Sequence, residues 1–147
     1  MDKLLFKLKP FTLLLLALIA GCSSGPTGQQ SSSVPGPVSN LATVYFYRTH
    51  TSLGAVVGVD LKDNGIDIGT LQDGTYFVYH ANPGQHVFAA TTNTTSTQNF
   101  KLQAGATYYI KAAVIPRQHI FQPSLSVVFD LQGQAALQNL KRLHYHE

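Results

Sequence analysis

The chain has 147 residues and a formal net charge of +3 with neutral histidines, from 10 Lys and Arg against 7 Asp and Glu. The excess is concentrated at the start, because removing residues 1–21 leaves 7 basic and 6 acidic residues, a net of +1. The remainder has no basic patch and no interleaving of basic with aromatic residues, so we expect no nucleic-acid partner. Its 126 residues suit one domain, and its richness in Val, Thr, Tyr and Phe is typical of β-structure.

Residues 1–21 have the three zones of an export signal. Lys3, Lys7 and Lys9 form a basic start, and an apolar run follows at residues 11–20, broken only by Thr12. This layout is typical of a secretory signal peptide. The run of ten residues is about half of what a membrane-spanning helix needs, which argues against an uncleaved anchor.

The signal ends in Leu18-Ile19-Ala20-Gly21-Cys22, which resembles the lipobox of a bacterial lipoprotein. Cys22 is the only cysteine, so it cannot form a disulfide within the chain. The resemblance implies cleavage before Cys22, a diacylglycerol thioether on its sulfur and an acyl chain on its amine. Ser23, rather than Asp, then implies the outer membrane, facing the periplasm, if the cell is Gram-negative. The alternative is an ordinary cleaved signal that leaves Cys22 as a free thiol.

Residues 22–40 are predicted to be a lipidated cysteine followed by a disordered tether. The segment is rich in Ser, Gly, Pro and Gln, and it has no charge and few apolar side chains, so it cannot form a core. As a flexible coil, residues 23–40 would span roughly 20–25 Å. The folded domain is predicted at residues 41–147.

Alternating side chains predict strands through the domain, beginning at Ala42–Tyr47. Further strands are expected at residues 55–61 (with Gly58 as a possible bulge), 66–71, 75–80, 86–90, 99–103, 107–114 and 124–131. Asp63-Asn64-Gly65 and Asn82-Pro83-Gly84 are strong turn signals, and the second predicts a hairpin that pairs residues 75–80 with 86–90. Residues 93–98 are expected to be a hairpin tip or exposed edge, and 116–123 a loop.

The period changes to that of a helix near the end. Leu137 and Leu140 recur at helical spacing, and Lys141 and Arg142 would complement the helix dipole, so a short amphipathic helix is predicted over residues 134–143. The whole pattern predicts an all-β fold: a small antiparallel β-sandwich of about seven or eight strands with a short C-terminal α-helix.

Four short motifs carry a family resemblance: Tyr45-Phe46-Tyr47-Arg48, Gly74-Thr75-Tyr76-Phe77, Pro83-Gly84-Gln85-His86 and Ala104-Gly105-Ala106-Thr107-Tyr108-Tyr109. In this order they resemble a bacterial lipoprotein family, domain of unknown function 2846, over roughly residues 42–142. The Pro-Gly-x-His turn is also similar to PEGA and carboxypeptidase-regulatory-like, transthyretin-like sandwiches. The resemblance implies a small β-sandwich and no established activity.

The residues do not indicate an enzyme. Serines lie in the tether and on strand edges without a Gly-x-Ser-x-Gly motif, and no pair of acidic residues has a spacing that favours acid–base chemistry. We therefore predict no catalytic residues and no cofactor apart from the covalent lipid on Cys22.

Two pairs of histidines are candidates for a metal site. His80 and His86 flank the predicted turn, where they would lie opposite each other, and His144 and His146 would share one side of an extended tail. The alternatives are a structural role for His86 and a frayed polar tail at the end of the chain. None of these spacings matches a zinc motif.

The tyrosines are the candidate binding face. Six of them occur on three predicted strands: Tyr45, Tyr47, Tyr76, Tyr79, Tyr108 and Tyr109. If several share an open sheet face, they would suit a glycan or an envelope protein as partner. The alternative is that most belong to the core or rim.

The sequence thus predicts a membrane-anchored, non-enzymatic binding or structural module of the cell envelope, with an unknown partner. The alternatives are a metal-binding periplasmic lipoprotein and an envelope hydrolase.

Overall fold

The computed structural model describes residues 40–144. These residues form a β-sandwich of nine strands with one short helix near the C-terminus, which confirms the predicted all-β fold class. The strands are β1 (Ala42–Arg48), β2 (Val59–Asp63), β3 (Ile66–Leu71), β4 (Thr75–Ala81), β5 (Gly84–Thr91), β6 (Thr95–Leu102), β7 (Thr107–Arg117), β8 (Ile120–Val128) and β9 (Lys141–Arg142). The helix α1 (Asp130–Leu137) lies between β8 and β9.

The strands form two sheets. The first has the order β8-β7-β1-β4-β9, and the second has the order β3-β2-β5-β6. The pairing is mostly antiparallel, but β1 pairs with β7 and β4 pairs with β9 in parallel. The predicted sandwich is therefore mixed rather than purely antiparallel.

Strand β1 is the centre of the first sheet, and all seven of its residues are buried. Its alternation divides two cores. Val44 and Phe46 face the second sheet, whereas Tyr45 and Tyr47 face the opposite side. A strand that is covered on both faces is rich in apolar and aromatic residues at successive positions, as Val44–Tyr47 of β1 is.

The core between the sheets is centred on three phenylalanines. The Phe46 ring lies 5.5 Å from that of Phe77 and 5.0 Å, edge to face, from that of Phe88. These contacts join β1 and β4 of one sheet to β5 of the other, with geometries that aromatic pairs favour. Aliphatic side chains from both sheets fill the remaining space.

The predicted hairpin between residues 75–80 and 86–90 is wrong. Strand β4 belongs to the first sheet and β5 to the second, so Asn82-Pro83-Gly84 carries the chain between sheets. Phe77 and Phe88 both lie in the core between the sheets, where each contacts Phe46. A period-2 pattern gives the buried face of each strand and does not distinguish an in-plane hairpin from a corner between sheets.

Other strand boundaries also differ. The predicted strand at 55–61 begins only at Val59, because Gly54 takes a φ of +82° and the Val57 N–H closes a turn on its carbonyl. The irregularity in β2 lies at Leu61/Lys62 and not at Gly58. The Asn64-Gly65 turn is confirmed, since both residues have positive φ, 48° and 86°.

The predicted loop at residues 116–123 is instead the tip of the β7–β8 hairpin, where Arg117 pairs with Ile120. Pro116 and Pro123 are tolerated there because β8 is an edge strand and Pro116 lies beyond the part of β7 that pairs with β1. Strand β8 spans Ile120–Val128, so the last strand begins four residues and ends three residues before the expected bounds of 124–131. Strand β6 extends from Thr95, so most of the polar stretch 93–98 is an edge strand.

The C-terminal helix is also shifted. It spans Asp130–Leu137 rather than residues 134–143, and it buries Gly133 and Leu137. Lys141 and Arg142 do not complete the helix but pair with Thr75 and Tyr76 as β9. The Lys141 N–H donates to the Gly74 carbonyl at 2.9 Å, so backbone pairing replaces the last helical turn.

Candidate functional site

Two of the predicted site regions lie outside the described residues. Cys22 and the motif that precedes it are in residues 1–39, and His146 is in residues 145–147. His144 is the last described residue and is exposed. The lipid attachment and the metal pair at the C-terminus therefore stay predictions.

The six candidate tyrosines do not share a face. Tyr79 and Tyr108 pack against the core between the sheets. The other four, Tyr45, Tyr47, Tyr76 and Tyr109, lie on the outer face of the first sheet and are buried, with exposures of 3–7%. Adjacent tyrosines such as Tyr108 and Tyr109 are separated in this way because successive strand residues point to opposite faces.

The C-terminal segment covers the outer tyrosines. The Tyr45 and Tyr109 rings are stacked with centroids 5.0 Å apart, and Leu137 of α1 packs on this cluster. A Cβ added at Gly133 would lie 2.1 Å from the Tyr109 ring, which shows how closely the helix approaches the sheet. Burial raises the pKa of Tyr45, Tyr47 and Tyr109. These four tyrosines form a second core and not an open binding surface.

A polar network centred on two buried side chains, Asp63 and His86, crosses between the two sheets and was not predicted from the sequence. Asp63 of β2 accepts a hydrogen bond from the Tyr79 hydroxyl of β4 at 2.8 Å, and its carboxylate lies 2.7–2.8 Å from Nδ1 of His86 on β5. The other ring nitrogen of His86, Nε2, donates to the Asn82 carbonyl at 2.8 Å. We call these four residues the Asp63 network.

The geometry of the Asp63 network fixes most of its protons. Nε2 of His86 must carry a proton, because the Asn82 oxygen can only accept. A further proton lies between Nδ1 and Asp63, so both ring nitrogens are engaged. Burial, followed by the hydrogen bond to Asp63 and its charge, raises the pKa of Tyr79 to about 12, which keeps the hydroxyl protonated as a donor.

The histidine pair predicted at the turn does not assemble. His86 is buried within the Asp63 network, whereas His80 is exposed and has Nδ1 3.4 Å from the Thr43 hydroxyl. His80 alternates with Tyr79 on β4, so it points to the outer face, away from His86. Within residues 40–144, no group of three or more His, Cys, Asp or Glu side chains is arranged to hold a metal ion.

A second buried charge lies at the other end of β1. Arg48 is only 1% exposed, and its guanidinium donates to the carbonyls of Gly54, at 2.6 Å, and Val57. Its Nη2 also lies 3.7 Å from the Asp73 carboxylate. Burial lowers the pKa of Arg48, and the charge of Asp73 opposes this shift. Arg48 therefore holds residues 49–58, which we call the far loop, from within.

Asp73 fastens the start of the far loop. Its carboxylate accepts from the Thr51 N–H at 2.9 Å and hydroxyl at 3.1 Å, and it lies 3.1 Å from Nδ1 of His50. Burial alone would raise the pKa of Asp73, but these hydrogen bonds and the charge of Arg48 outweigh it and lower the pKa. Gly74 is required beside them, because it has a φ of +69° and its Cα faces the His50 ring, which a Cβ would meet at 2.0 Å.

Exposed apolar side chains lie at both ends of the sandwich. At the end where β1 finishes, the far loop exposes Leu53 and Val56, by 65% and 95%. At the end where β1 begins, a shallow groove runs beside Thr107 and Tyr108 and is bounded by residues 127–131. Within residues 40–144, no helix is long and apolar enough to cross a bilayer.

A family model described as protein of unknown function (DUF2846) matches residues 38–123. This stretch is more than half of the 147 residues, begins four residues before β1 and ends within β8. It contains Arg48, Gly74 and His86, which belong to the motifs noted in the sequence and now have structural roles. No curated protein and no solved structure matches the chain at a significant level.

Proposed function

The chain belongs to the DUF2846 family of proteins of unknown function, and from that premise we propose that it is a lipid-anchored, non-enzymatic binding or structural module of the bacterial envelope. The observation that carries this proposal is the motif Leu18-Ile19-Ala20-Gly21-Cys22, which places the only cysteine of the chain where a lipoprotein receives its lipid. Residues 22–147, which remain after cleavage, have a net charge of +1, and so small a charge argues against a nucleic-acid partner.

The domain supports a non-enzymatic role through the way its polar groups are used. The imidazole and carboxylate of His86 and Asp63, the kind of pair that general-base chemistry uses, are buried and joined to Tyr79 and Asn82. Arg48 and Asp73 likewise serve the far loop. The side chains that could serve in catalysis are therefore engaged in holding the domain together, which supports a non-enzymatic role.

Metabolic labelling tests the anchor. Cells that express the full chain are grown with labelled palmitate, and we expect the label on the wild-type protein and on the control variant Ser23→Ala. Cys22→Ala should lose the label and leave the membrane fraction, since the thioether cannot form. Label retained by Cys22→Ala would overturn the proposal.

The identity of residue 23 provides a finer test of localisation. We propose that the protein resides in the outer membrane and faces the periplasm of a Gram-negative cell, as Ser23 implies by resemblance to other lipoproteins. The variant Ser23→Asp should then move from the outer to the inner membrane fraction on a sucrose gradient. An unchanged distribution would contradict this sorting.

The partner is to be found by crosslinking in intact cells. Val56 is the best position for a photoreactive residue, because it is 95% exposed and lies at the end of the domain opposite the start of β1, where the chain enters. Gln98, exposed on the edge strand β6, is a matched control position. A reproducible partner from Val56 but not from Gln98 supports a binding module, and no reproducible partner from either position counts against it.

A further inference from the structure

The end of the sandwich where the chain enters β1 carries an apolar surface of four side chains, which we call the entry rim. Its members are Tyr108, Val127, Phe129 and Leu131. Phe129 and Leu131 are 83% and 82% exposed, and Val127 is 55% exposed. These side chains line one groove, and contiguous exposed apolar surface, unlike single exposed residues, marks a contact with a partner or a membrane.

The chain enters the domain directly beside the entry rim. The Leu41 carbonyl accepts from the Gly105 N–H at 2.9 Å, and the Thr43 N–H donates to Ala106 at 2.9 Å. Thr43 then pairs with Thr107, the first residue of β7 and a neighbour of Tyr108. Residue 40 therefore leaves the described domain next to the groove that the entry rim lines, so whatever holds the chain at Cys22 is connected to this end.

We propose that the entry rim rests on the lipid surface to which Cys22 anchors the chain, and so orients the domain on the membrane. This inference rests on the proposed lipid anchor. A coil of residues 23–40 would reach roughly 20–25 Å, which allows the rim to meet the headgroup and acyl boundary without stretching the tether. Phe and Leu side chains are those that amphipathic surfaces bury at that boundary.

Lipid fits the entry rim better than a second copy of the chain. A standard protein interface uses about 20–30 residues on each side, and the rim offers four apolar side chains around a shallow groove. Such a contact is too small to hold a free dimer. It suffices for a tethered domain, because the anchor keeps the rim at a high effective concentration near the surface.

The test uses the lipidated protein purified from expressing bacteria and reconstituted in vesicles of phosphatidylethanolamine and phosphatidylglycerol. A cysteine replaces Gln132, which is exposed one residue from Leu131, and carries a fluorophore that brominated acyl chains quench. The matched position is Ser52, which is exposed on the far loop. We expect several-fold greater quenching at Gln132 than at Ser52.

Substitutions in the entry rim and in the far loop test whether the rim side chains cause the greater quenching at position 132. Phe129→Ser with Leu131→Ser should abolish the excess quenching, whereas Leu53→Ser with Val56→Ser should leave it unchanged. The rim variant is expected to fold, because Phe129 is the N-cap residue of α1 and Ser is favoured at that position. Circular dichroism checks this.

The outcomes separate the rim from the anchor. Mass spectrometry of the same preparation shows whether Cys22 carries lipid. Lipidated protein with equal quenching at the two positions overturns the rim contact and leaves the anchor intact, whereas an unmodified Cys22 overturns both. A change in the emission of the fluorophore at position 132 could also come from a second copy of the chain. A change that grows with the protein-to-lipid ratio and persists in detergent without brominated lipid would show that copy on the rim, and would overturn the lipid contact.

Discussion

Two buried charged side chains near opposite ends of the sandwich are satisfied in different ways. Asp63 is bound by side chains on regular strands of both sheets, so the sandwich itself fixes the positions of its partners. Arg48 is bound mainly by carbonyls of the far loop, which is irregular and lies at the surface. Both side chains are buried, but Asp63 supports the sandwich as a whole, whereas Arg48 supports one loop.

The largest effect is expected from Asp63→Ala. The substitution leaves the buried His86 ring and the half-buried Tyr79 side chain without their acceptor. Losing one partner of a buried pair such as Asp63 and His86 costs about 3–5 kcal/mol in the free energy of unfolding. Urea denaturation followed by circular dichroism measures it. The control is Asp67→Ala, whose carboxylate is 79% exposed and pairs with Lys62, and which should cost about 0–1 kcal/mol. Similar losses of unfolding free energy in Asp63→Ala and Asp67→Ala would show that the buried carboxylate contributes no more than the exposed one.

Tyr79→Phe removes only one hydrogen bond of the Asp63 network, and a bond to a charged group contributes about 1.5–3 kcal/mol. It also alters the response to alkali. The pKa of Tyr79 is about 12 in the fold and 10.0 ordinarily, so the unfolded chain loses its proton first. The stabilisation is complete below pH 10 and declines as the pH rises toward 12.

Urea midpoints measured across that range should therefore fall more steeply for the wild type than for Tyr79→Phe. Asp63→Asn should also make the dependence shallower, because the carboxylate charge contributes to the raised pKa of Tyr79. Identical slopes in wild type and Tyr79→Phe would show that Tyr79 does not ionise with unfolding.

Arg48→Met should have a smaller and more local effect. The carbonyls of Gly54 and Val57 lose their donors but can turn toward water, so we expect a loss of about 1–3 kcal/mol. Hydrogen exchange should become faster in residues 49–58, while the amides of β2 and β5 stay protected. Arg117→Met, at an exposed position, is the control. Uniform loss of protection after Arg48→Met would mean that Arg48 also supports the sandwich.

The sequence predicts the parts of this comparison that depend on periodicity. The alternation of β1 and the Asn64-Gly65 turn are local, and both are confirmed. The Asp63 network could not be predicted, because it joins residues 16 and 23 positions apart through a corner between sheets that resembles a hairpin turn in sequence. The Pro83-Gly84-Gln85-His86 motif was the available signal, and it did not reveal the carboxylate partner.

The burial of the tyrosines and the bounds of the helix also could not be predicted from local sequence patterns. Period-2 alternation separates Tyr108 from Tyr109, but nothing local says that Leu137 will cover the outer face. The helix prediction relied on the spacing of Leu137 and Leu140 and on basic residues at the helix end, yet Lys141 and Arg142 pair with β4. Tertiary pairing with an open sheet edge overrides helical spacing in so short a segment.

The smallest effect is expected where the far loop meets solvent. His50 is 71% exposed and contacts Asp73 at 3.1 Å, so His50→Ala should cost about 0–1 kcal/mol at neutral pH. The lowered pKa of Asp73 also gives an acid dependence. Its contribution is present above the ordinary value of 3.8 and is lost as the pH falls through the lower folded value.

Thr51→Val separates the donors that hold this carboxylate, because it removes the hydroxyl at 3.1 Å and keeps the N–H at 2.9 Å. We expect both His50→Ala and Thr51→Val to reduce the loss of stability between pH 5 and pH 2, and the double variant to reduce it further. Since the N–H and Arg48 still act on Asp73, part of the acid dependence should survive. If it disappeared in either single variant, one side chain rather than the loop backbone would control Asp73, and the far loop would be held less firmly than Arg48 alone suggests.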